Sequence, residues 1–211
     1  PPVRRRMRWT GSSCLSNCIS MNLHEHFEAL YAADDDPWDV RAAWYEQRKR
    51  GLLLASLGKA RYRSAFEPGC GNGEMSAALA ACCERLLACD GAAAAVAAAR
   101  RRLHGSAPQA VRIEQRSLPS ELPEGERFDL IVVSELAYYF DAAALQDMLA
   151  RAHAMLDADG ELVMCHYLHD FGDRVTGTAA AHALAGRLPG MARSVHHLDR
   201  DFLLEIWRRA S

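Results

Sequence analysis

The 211-residue sequence predicts an α/β fold, a mostly parallel sheet flanked by helices and finished by an antiparallel pair of strands. Three observations predict it. Apolar, strand-like runs alternate with helix-period segments from residue 62 to residue 188, the order that builds right-handed βαβ units. A glycine-rich turn, Pro68-Gly69-Cys70-Gly71-Asn72-Gly73, joins the first run to a helix. The last two runs, 193–197 and 202–207, are joined by a segment too short for a crossover, so one of them must run antiparallel.

Taken in order, residues 1–20 are basic, begin Pro-Pro-Val-Arg-Arg-Arg and show no periodicity. No continuous apolar stretch follows the basic start, which argues against a secretory signal. The segment is expected to be a flexible tail; an arginine-rich docking arm is the other reading. Residues 21–211 are expected to form one domain with a helical cap over 21–58. A short helix is predicted over 23–31. Asp36-Pro37 resembles an N-cap followed by proline at the first helical position, and Trp38, Trp44, Tyr45, Leu52, Leu53 and Leu57 continue as an apolar stripe up to Gly58. The run 62–67 is the first strand, 74–83 a helix and 85–90 the second strand. An alanine-rich helix over 92–103 precedes a weaker strand at 111–115 and a loop over 119–126. Phe128-Asp129-Leu130-Ile131-Val132-Val133-Ser134 is the most continuous apolar strand, as expected where both faces are covered. A helix over 141–156 ends at Asp157-Ala158-Asp159-Gly160, a fifth strand spans 161–167, and a helix over 176–188 closes at Pro189-Gly190.

Composition narrows the function classes. Twenty-five Lys and Arg stand against 27 Asp and Glu, so no overall basic field draws the chain to nucleic acid or to an anionic membrane. No apolar run reaches the roughly 18–20 residues of a membrane span. The seven cysteines, at 14, 18, 70, 82, 83, 89 and 165, include no Cys-x-x-Cys pair. They read as reduced thiols of a cytoplasmic protein. The nine histidines offer no third ligand at metal-site spacing, so no metal is expected.

The glycine turn carries the first functional signal. Gly69, Gly71 and Gly73 form G-x-G-x-G, which lets a ligand approach the backbone closely, and Glu67 stands directly before it. The third glycine comes one residue earlier than in the G-x-G-x-x-G of nicotinamide dehydrogenases. That and the terminal hairpin argue against a dehydrogenase. Asp90 ends the second strand. An ionised carboxylate there accepts hydrogen bonds from both hydroxyls of a ribose, or caps the following helix. Sites in open α/β sheets lie outside the carboxyl ends of the strands. That rule brings forward Ser134, Glu135, Tyr138 and Tyr139 after the fourth strand, and His166 and His169 after the fifth.

Phe66-Glu67-Pro68-Gly69-Cys70-Gly71-Asn72-Gly73, Leu86-Leu87-Ala88-Cys89-Asp90, Phe128 to Glu135, and Leu156-Asp157-Ala158-Asp159-Gly160-Glu161-Leu162-Val163 resemble the ordered motifs of class I S-adenosylmethionine-dependent methyltransferases. The resemblance implies a Rossmann-like, seven-stranded sheet of order 3-2-1-4-5-7-6 with strand 7 antiparallel. It implies S-adenosylmethionine as cofactor, with Gly69, Cys70, Gly71 and Gly73 at its methionine part, Glu67 ordering that loop, Asp90 on the ribose and Ser134 in the wall. Arg116-Ser117 stands where an acidic residue commonly meets the adenine, which leaves Ser117 as the acceptor.

A closer likeness, to the nodulation protein S-type methyltransferases, rests on five segments. They are Tyr31 with Asp36-Pro37-Trp38 and Trp44-Tyr45-Glu46-Gln47-Arg48-Lys49; Ser134-Glu135-Leu136-Ala137-Tyr138-Tyr139; His166-Tyr167-Leu168-His169; Thr176 to His182; and Asp201 to Trp207. Nodulation-type members N-methylate a free amine of a deacetylated chitooligosaccharide. The likeness implies that Trp38, Trp44 and Tyr45 cover the cofactor as a lid; packing in the core is the alternative for all three. It also implies transfer to a small-molecule acceptor, an amine of a sugar-derived or similar polar compound. O-methyl transfer and a non-catalytic cofactor-binding module stay open as alternatives. A protonated amine has no lone pair, so the acceptor must arrive neutral or meet a base. Glu135, His166 and His169 are the candidates, with a loop-supporting or capping role as the alternative for Glu135. After the fourth strand there is no Asn/Asp-Pro-Pro-Tyr/Phe and no Pro-Cys, which argues against nucleobase amines and cytosine C5 as acceptors.

Overall fold

The computed structural model describes residues 23–105 and 110–209; the expected tail at 1–20 lies outside them. Two helices, α1 (Leu23–Ala33) and α2 (Trp44–Ser56), precede the sheet. Then follow β1 (Tyr62–Pro68), α3 (Glu74–Ala80), β2 (Cys83–Asp90), α4 (Ala93–Leu103), β3 (Val111–Gln115) and β4 (Phe128–Ser134). The chain continues through α5 (Ala142–Met155), β5 (Leu156–Tyr167), α6 (Thr178–Ala185), β6 (Met191–Leu198) and β7 (Phe202–Arg209). The seven strands form one sheet in the order β3-β2-β1-β4-β5-β7-β6. Pairing is parallel from β3 through β5, while β7 runs antiparallel to both neighbours, as the resemblance implies.

The strand pattern produces two apolar layers. On β4, Ile131 and Val133 pack with Phe66, Leu145, Met148, Leu162 and Trp207 on one face. Leu130 and Val132 pack with Leu53, Leu79, Leu86 and Phe202 on the other. Alternate residues of a strand face opposite sides, so a strand covered on both sides must be apolar throughout. β1 lies between β2 and β4, and strand order reverses there. That reversal opens a crevice at the carboxyl ends of β1 and β4.

Several boundaries depart from the sequence reading, and three of them have a clear physical reason. Helix α2 starts at Trp44, seven residues after Pro37. Asp36 forms a turn instead of a helix cap: its carboxylate accepts from Val40 N–H (2.8 Å), Arg41 N–H (3.1 Å) and the Asn72 amide (2.9 Å). Trp44, placed by the sequence on the apolar stripe, is 74% exposed. Strand β5 begins at Leu156 because residues 157–160 are carried as an irregularity: Phe128 faces Leu156, and Leu130 already faces Glu161. Helix α3 ends at Ala80, so β2 starts two residues early at Cys83. Cys70, Cys82, Cys83, Cys89 and Cys165 are all free thiols.

Candidate active site

The crevice is a cavity of about 440 Å³. The carboxyl ends of β1, β2 and β4 form its floor, and His24, Phe27 and Tyr31 of α1 line it together with Trp38. Its size is that of a pocket for a drug-sized molecule. The two ends differ in chemistry.

At the first end the glycine loop is tied to β2. Gly69 N–H and Cys70 N–H both donate to the Cys89 carbonyl, at 2.7 and 2.9 Å. Asp90 accepts from Gly71 N–H (3.0 Å) and Ala92 N–H (3.0 Å), so it holds the loop and the start of α4 together and lines the cavity as well. Gly71 has φ 53°, and a Cβ there would lie 2.4 Å from the Tyr31 hydroxyl. Only glycine fits that place. Gly73 differs from its motif partners. A Cβ there would meet Ala99 (3.0 Å) and Leu103 (3.1 Å) of α4, and Gly73 is absent from the cavity wall. Its place in the fold is the close packing of α3 on α4.

Glu67 is buried and accepts from the Ser76 hydroxyl at 2.5 Å. Burial pushes its carboxyl up to about 8; the Ser76 bond opposes this and the charge of Asp90 adds to it. Burial also raises the Asp90 carboxyl, against the N–H bonds from Ala92, Gly71 and Gly91 that favour its charged form. Cys70 and Ser117 line the wall beside them.

The second end gathers charge. Ser134 and Glu135 leave β4 into the cavity, and Glu135 adopts φ 55°, a left-handed conformation rare outside glycine. Its N–H is fixed on the Cys165 carbonyl at 3.0 Å. Lys49, only 2% exposed, places Nζ 2.9 Å from Glu135 Oε1 and 2.7 Å from Glu46 Oε2. The Tyr138 hydroxyl donates to Glu135 Oε2. Burial alone would lower the Lys49 pKa, but Glu135 and Glu46 more than offset it and the ammonium is held above its usual range.

The sequence candidates are not all brought together. Glu67, Gly69, Cys70, Gly71, Asp90, Ser117, Ser134, Glu135 and Trp38 line the cavity. Tyr45 does not: it packs edge-on against Tyr167 and Phe202, with the Lys49 ammonium 5.0 Å from its ring centre. His166 is fully buried off the cavity wall, and its Nε2 accepts from Ala137 N–H at 3.0 Å, so that lone pair is taken. His169 is exposed, also off the wall, and meets Asp201 at 2.9 Å. The sequence reading missed Lys49 and Glu46. The available signal was spacing: Glu46, Lys49 and Leu53 share one face of α2, which puts an ammonium where an apolar residue is expected. Among the described residues no group of three His, Cys, Asp or Glu side chains is arranged to hold a metal ion, and no helix is long and apolar enough to cross a membrane.

The family model of nodulation protein S matches residues 22–190. The chain belongs to this family. Nodulation protein S of Rhizobium tropici is 32% identical over 148 residues, covering 68% of this chain and 60% of the relative. Nodulation protein S of Sinorhizobium fredii is 32% identical over 134 residues, covering 62% and 60%. The matched region thus spans about 60% of these relatives' length. A solved structure from Pseudomonas syringae, provisionally assigned as a methyltransferase, is 44% identical with a TM-score of 0.69, covering 79% of this chain and 100% of that one. The N-methyltransferase NodS of Bradyrhizobium japonicum WM9, in complex with S-adenosyl-l-homocysteine, shares the fold. Its TM-score is 0.78 at 24% identity, over 89% of this chain and 98% of that one.

Proposed function

We propose that the chain is an S-adenosylmethionine-dependent N-methyltransferase whose acceptor is a small polar amine, such as an amine of a sugar-derived compound. The observation that carries this reading is that one cavity joins two unlike ends: a loop and carboxylate suited to a nucleoside, and a carboxylate, ammonium and phenol cluster suited to an incoming amine. The cofactor fits the first end. Gly69 and Gly71 bring backbone without side chains to the cavity wall, and Asp90 offers carboxylate oxygens to a ribose diol. Ser117 and Leu118 would border the adenine, and Glu67 would support the amino end through the loop. The cofactor supplies an electrophilic methyl on a sulfonium.

The chain's own residues do the rest. Glu135 faces the acceptor with a carboxylate that Lys49 neutralises in part and Tyr138 orients. An incoming ammonium would donate to Glu135 and pass it a proton, and the freed lone pair would then take the methyl that bound S-adenosylmethionine would supply, with S-adenosylhomocysteine as the product. Phe27, Tyr31, Trp38 and Tyr139 line the same cavity with aromatic rings. The free thiols fit a reducing, cytoplasmic setting.

The test is transfer of labelled methyl from S-adenosylmethionine to a panel of amino sugars, simple amines and their hydroxyl analogues. Label on the amines supports the reading. Label on the hydroxyl analogues alone makes the chain an O-methyltransferase, and cofactor binding without any transfer makes it a binding module.

A further inference from the structure

Among β5, α6 and β7 lie three buried polar side chains that take no part in the transfer just described. They are His166 (0% exposed), His182 (2%) and Glu205 (3%). Burying polar groups is unfavourable unless each finds a partner, and these three form one continuous chain. Ala137 N–H donates to His166 Nε2 at 3.0 Å, His166 Nδ1 lies 3.0 Å from His182 Nε2, and His182 Nδ1 lies 2.9 Å from Glu205 Oε2. At the outer end Glu205 Oε1 meets His196 Nδ1 (2.7 Å) and the Arg193 guanidinium (2.5 Å).

Both ends dictate the same direction for the contact in the middle. A backbone N–H can only donate, so His166 Nε2 is bare and the proton of the neutral ring sits on Nδ1. At the other end, Glu205 is ionised. Burial works against its charge, but His182, His196 and Arg193 bring its carboxyl down to about 2. A carboxylate can only accept, so His182 Nδ1 carries a proton and its Nε2 is bare. His166 Nδ1–H therefore donates to His182 Nε2, and no other neutral arrangement satisfies every contact. Burial first, then the charges of His182, Lys49 and Arg174, hold the His166 imidazole well below its usual range. Burial likewise lowers His182 despite Glu205.

The inner end of the chain lands next to the site. Ala137 opens the short 3₁₀ turn Ala137–Tyr139, two residues after Glu135. Tyr138 of that turn donates to Glu135, and its ring packs edge-on against His166 at 5.3 Å. We propose that His166, His182 and Glu205 are positioning residues for methyl transfer: by fixing one imidazole tautomer they hold the 137–139 turn so that Tyr138 stays on Glu135. The proposal rests on the reading of Glu135 as the group facing the acceptor. It removes His166 from the candidates for base, because its only free lone pair is spent on the backbone.

The test uses the full chain, with S-adenosyl-l-homocysteine as the bound probe for spectroscopy. Ring 15N NMR at about pH 7.5 is expected to show His166 and His182 neutral, each protonated on Nδ1 and bare on Nε2. In transfer assays, His182→Leu strands the His166 Nδ1–H and should lower kcat by about 10- to 100-fold, the cost of a misplaced group of this kind. The KM for S-adenosylmethionine should stay within about twofold. His182→Gln can accept from His166 through its amide oxygen and should recover the rate to within about threefold. In a Tyr138→Phe background the His182→Leu loss should disappear, because the chain acts through Tyr138. A proton on His166 Nε2 in the wild type overturns the proposal even if the variants do not fold, and so does full additivity of the two rate losses. If the wild type transfers methyl and His182→Leu is equally fast, the positioning proposal falls alone. If the wild type transfers no methyl to any acceptor while the tautomers are as expected, the transferase reading falls and takes this proposal with it.

Discussion

The two ends of the cavity are built in opposite ways. The glycine-loop end, the proposed nucleoside site, is local in sequence: Glu67 to Ala92 supply the loop, the carboxylate and the helix start, and adjacent parallel strands hold them in register. Its bonds run mostly from backbone N–H groups to Asp90 and to the Cys89 carbonyl. The Glu135 end, the proposed acceptor site, is assembled across the chain: Lys49 and Glu135 stand 86 positions apart and meet because α2 lies over the sheet face that carries Leu130 and Val132. Its bonds are between side chains, and most of them are charged. Backbone-held geometry tolerates side-chain changes around it, whereas a cluster of side chains lasts only as long as each member is present. The first end should therefore respond to substitution in affinity, and the second in rate and stability.

The largest separation between the ends is expected from Glu135→Gln. Keeping shape but deleting charge should lower kcat by about 10²–10⁴-fold if Glu135 takes the proton. Cofactor affinity, measured by calorimetry, should hardly change; a loss confined to cofactor affinity would move Glu135 to the nucleoside end. Lys49→Met comes next. Removing one partner of a buried ion pair leaves Glu46 and Glu135 facing each other, and chemical denaturation should show a loss of about 3 kcal/mol. Asp90→Ala unties Gly71 and Ala92 and removes the proposed ribose acceptor. Cofactor affinity should fall by about 10- to 100-fold, roughly 1.5–3 kcal/mol, with the fold intact by circular dichroism.

The fourth expectation concerns pH. Glu67 keeps its proton in the folded state up to about pH 8, while in the unfolded chain it ionises near 4.5. Between those values the folded state binds more protons, so its contribution to stability falls as pH rises. Glu67→Gln removes that dependence. The stability difference should move in the variant's favour by about 1–2 kcal/mol between pH 6 and pH 8 and level off above. A flat difference over that range would place the Glu67 carboxyl at an ordinary value. The smallest effect is expected from Trp44→Ala. The exposed indole should matter by less than about 0.5 kcal/mol, whereas Trp38→Ala, on the cavity wall, should weaken the cofactor complex.

The same contrast decides what could be read from the sequence. Strands β3 and β4 have the bounds their apolar patterns suggest, and the motif order implies the sheet order found. The glycine loop and Asp90 are local signals, and both stand on the cavity wall. Lys49 could not be read in this way. In sequence it belongs to the polar run Glu46-Gln47-Arg48-Lys49-Arg50, and its one mark is the spacing that puts it on the same helix face as Leu53. Asp36-Pro37 carried a genuine capping signal, but Asn72 and the N–H groups of Val40 and Arg41 hold the Asp36 carboxylate in a turn. Gly73 shares a motif with Gly69 and Gly71, yet it serves the packing of two helices, a difference that only a tertiary neighbour such as Ala99 discloses. His166 lies among the last paired residues of β5 and His169 just beyond it, and no pattern could say that a backbone N–H had taken one imidazole and Asp201 the other.

The central claim is that one ligand bridges from Asp90 toward Glu135. It is tested most directly by a crystal structure of the chain with S-adenosyl-l-homocysteine. The account predicts both ribose hydroxyls on the Asp90 carboxylate and the ligand sulfur directed at the space between Glu135 and Tyr138. A ribose held away from Asp90, or a sulfur turned away from Glu135, would contradict it.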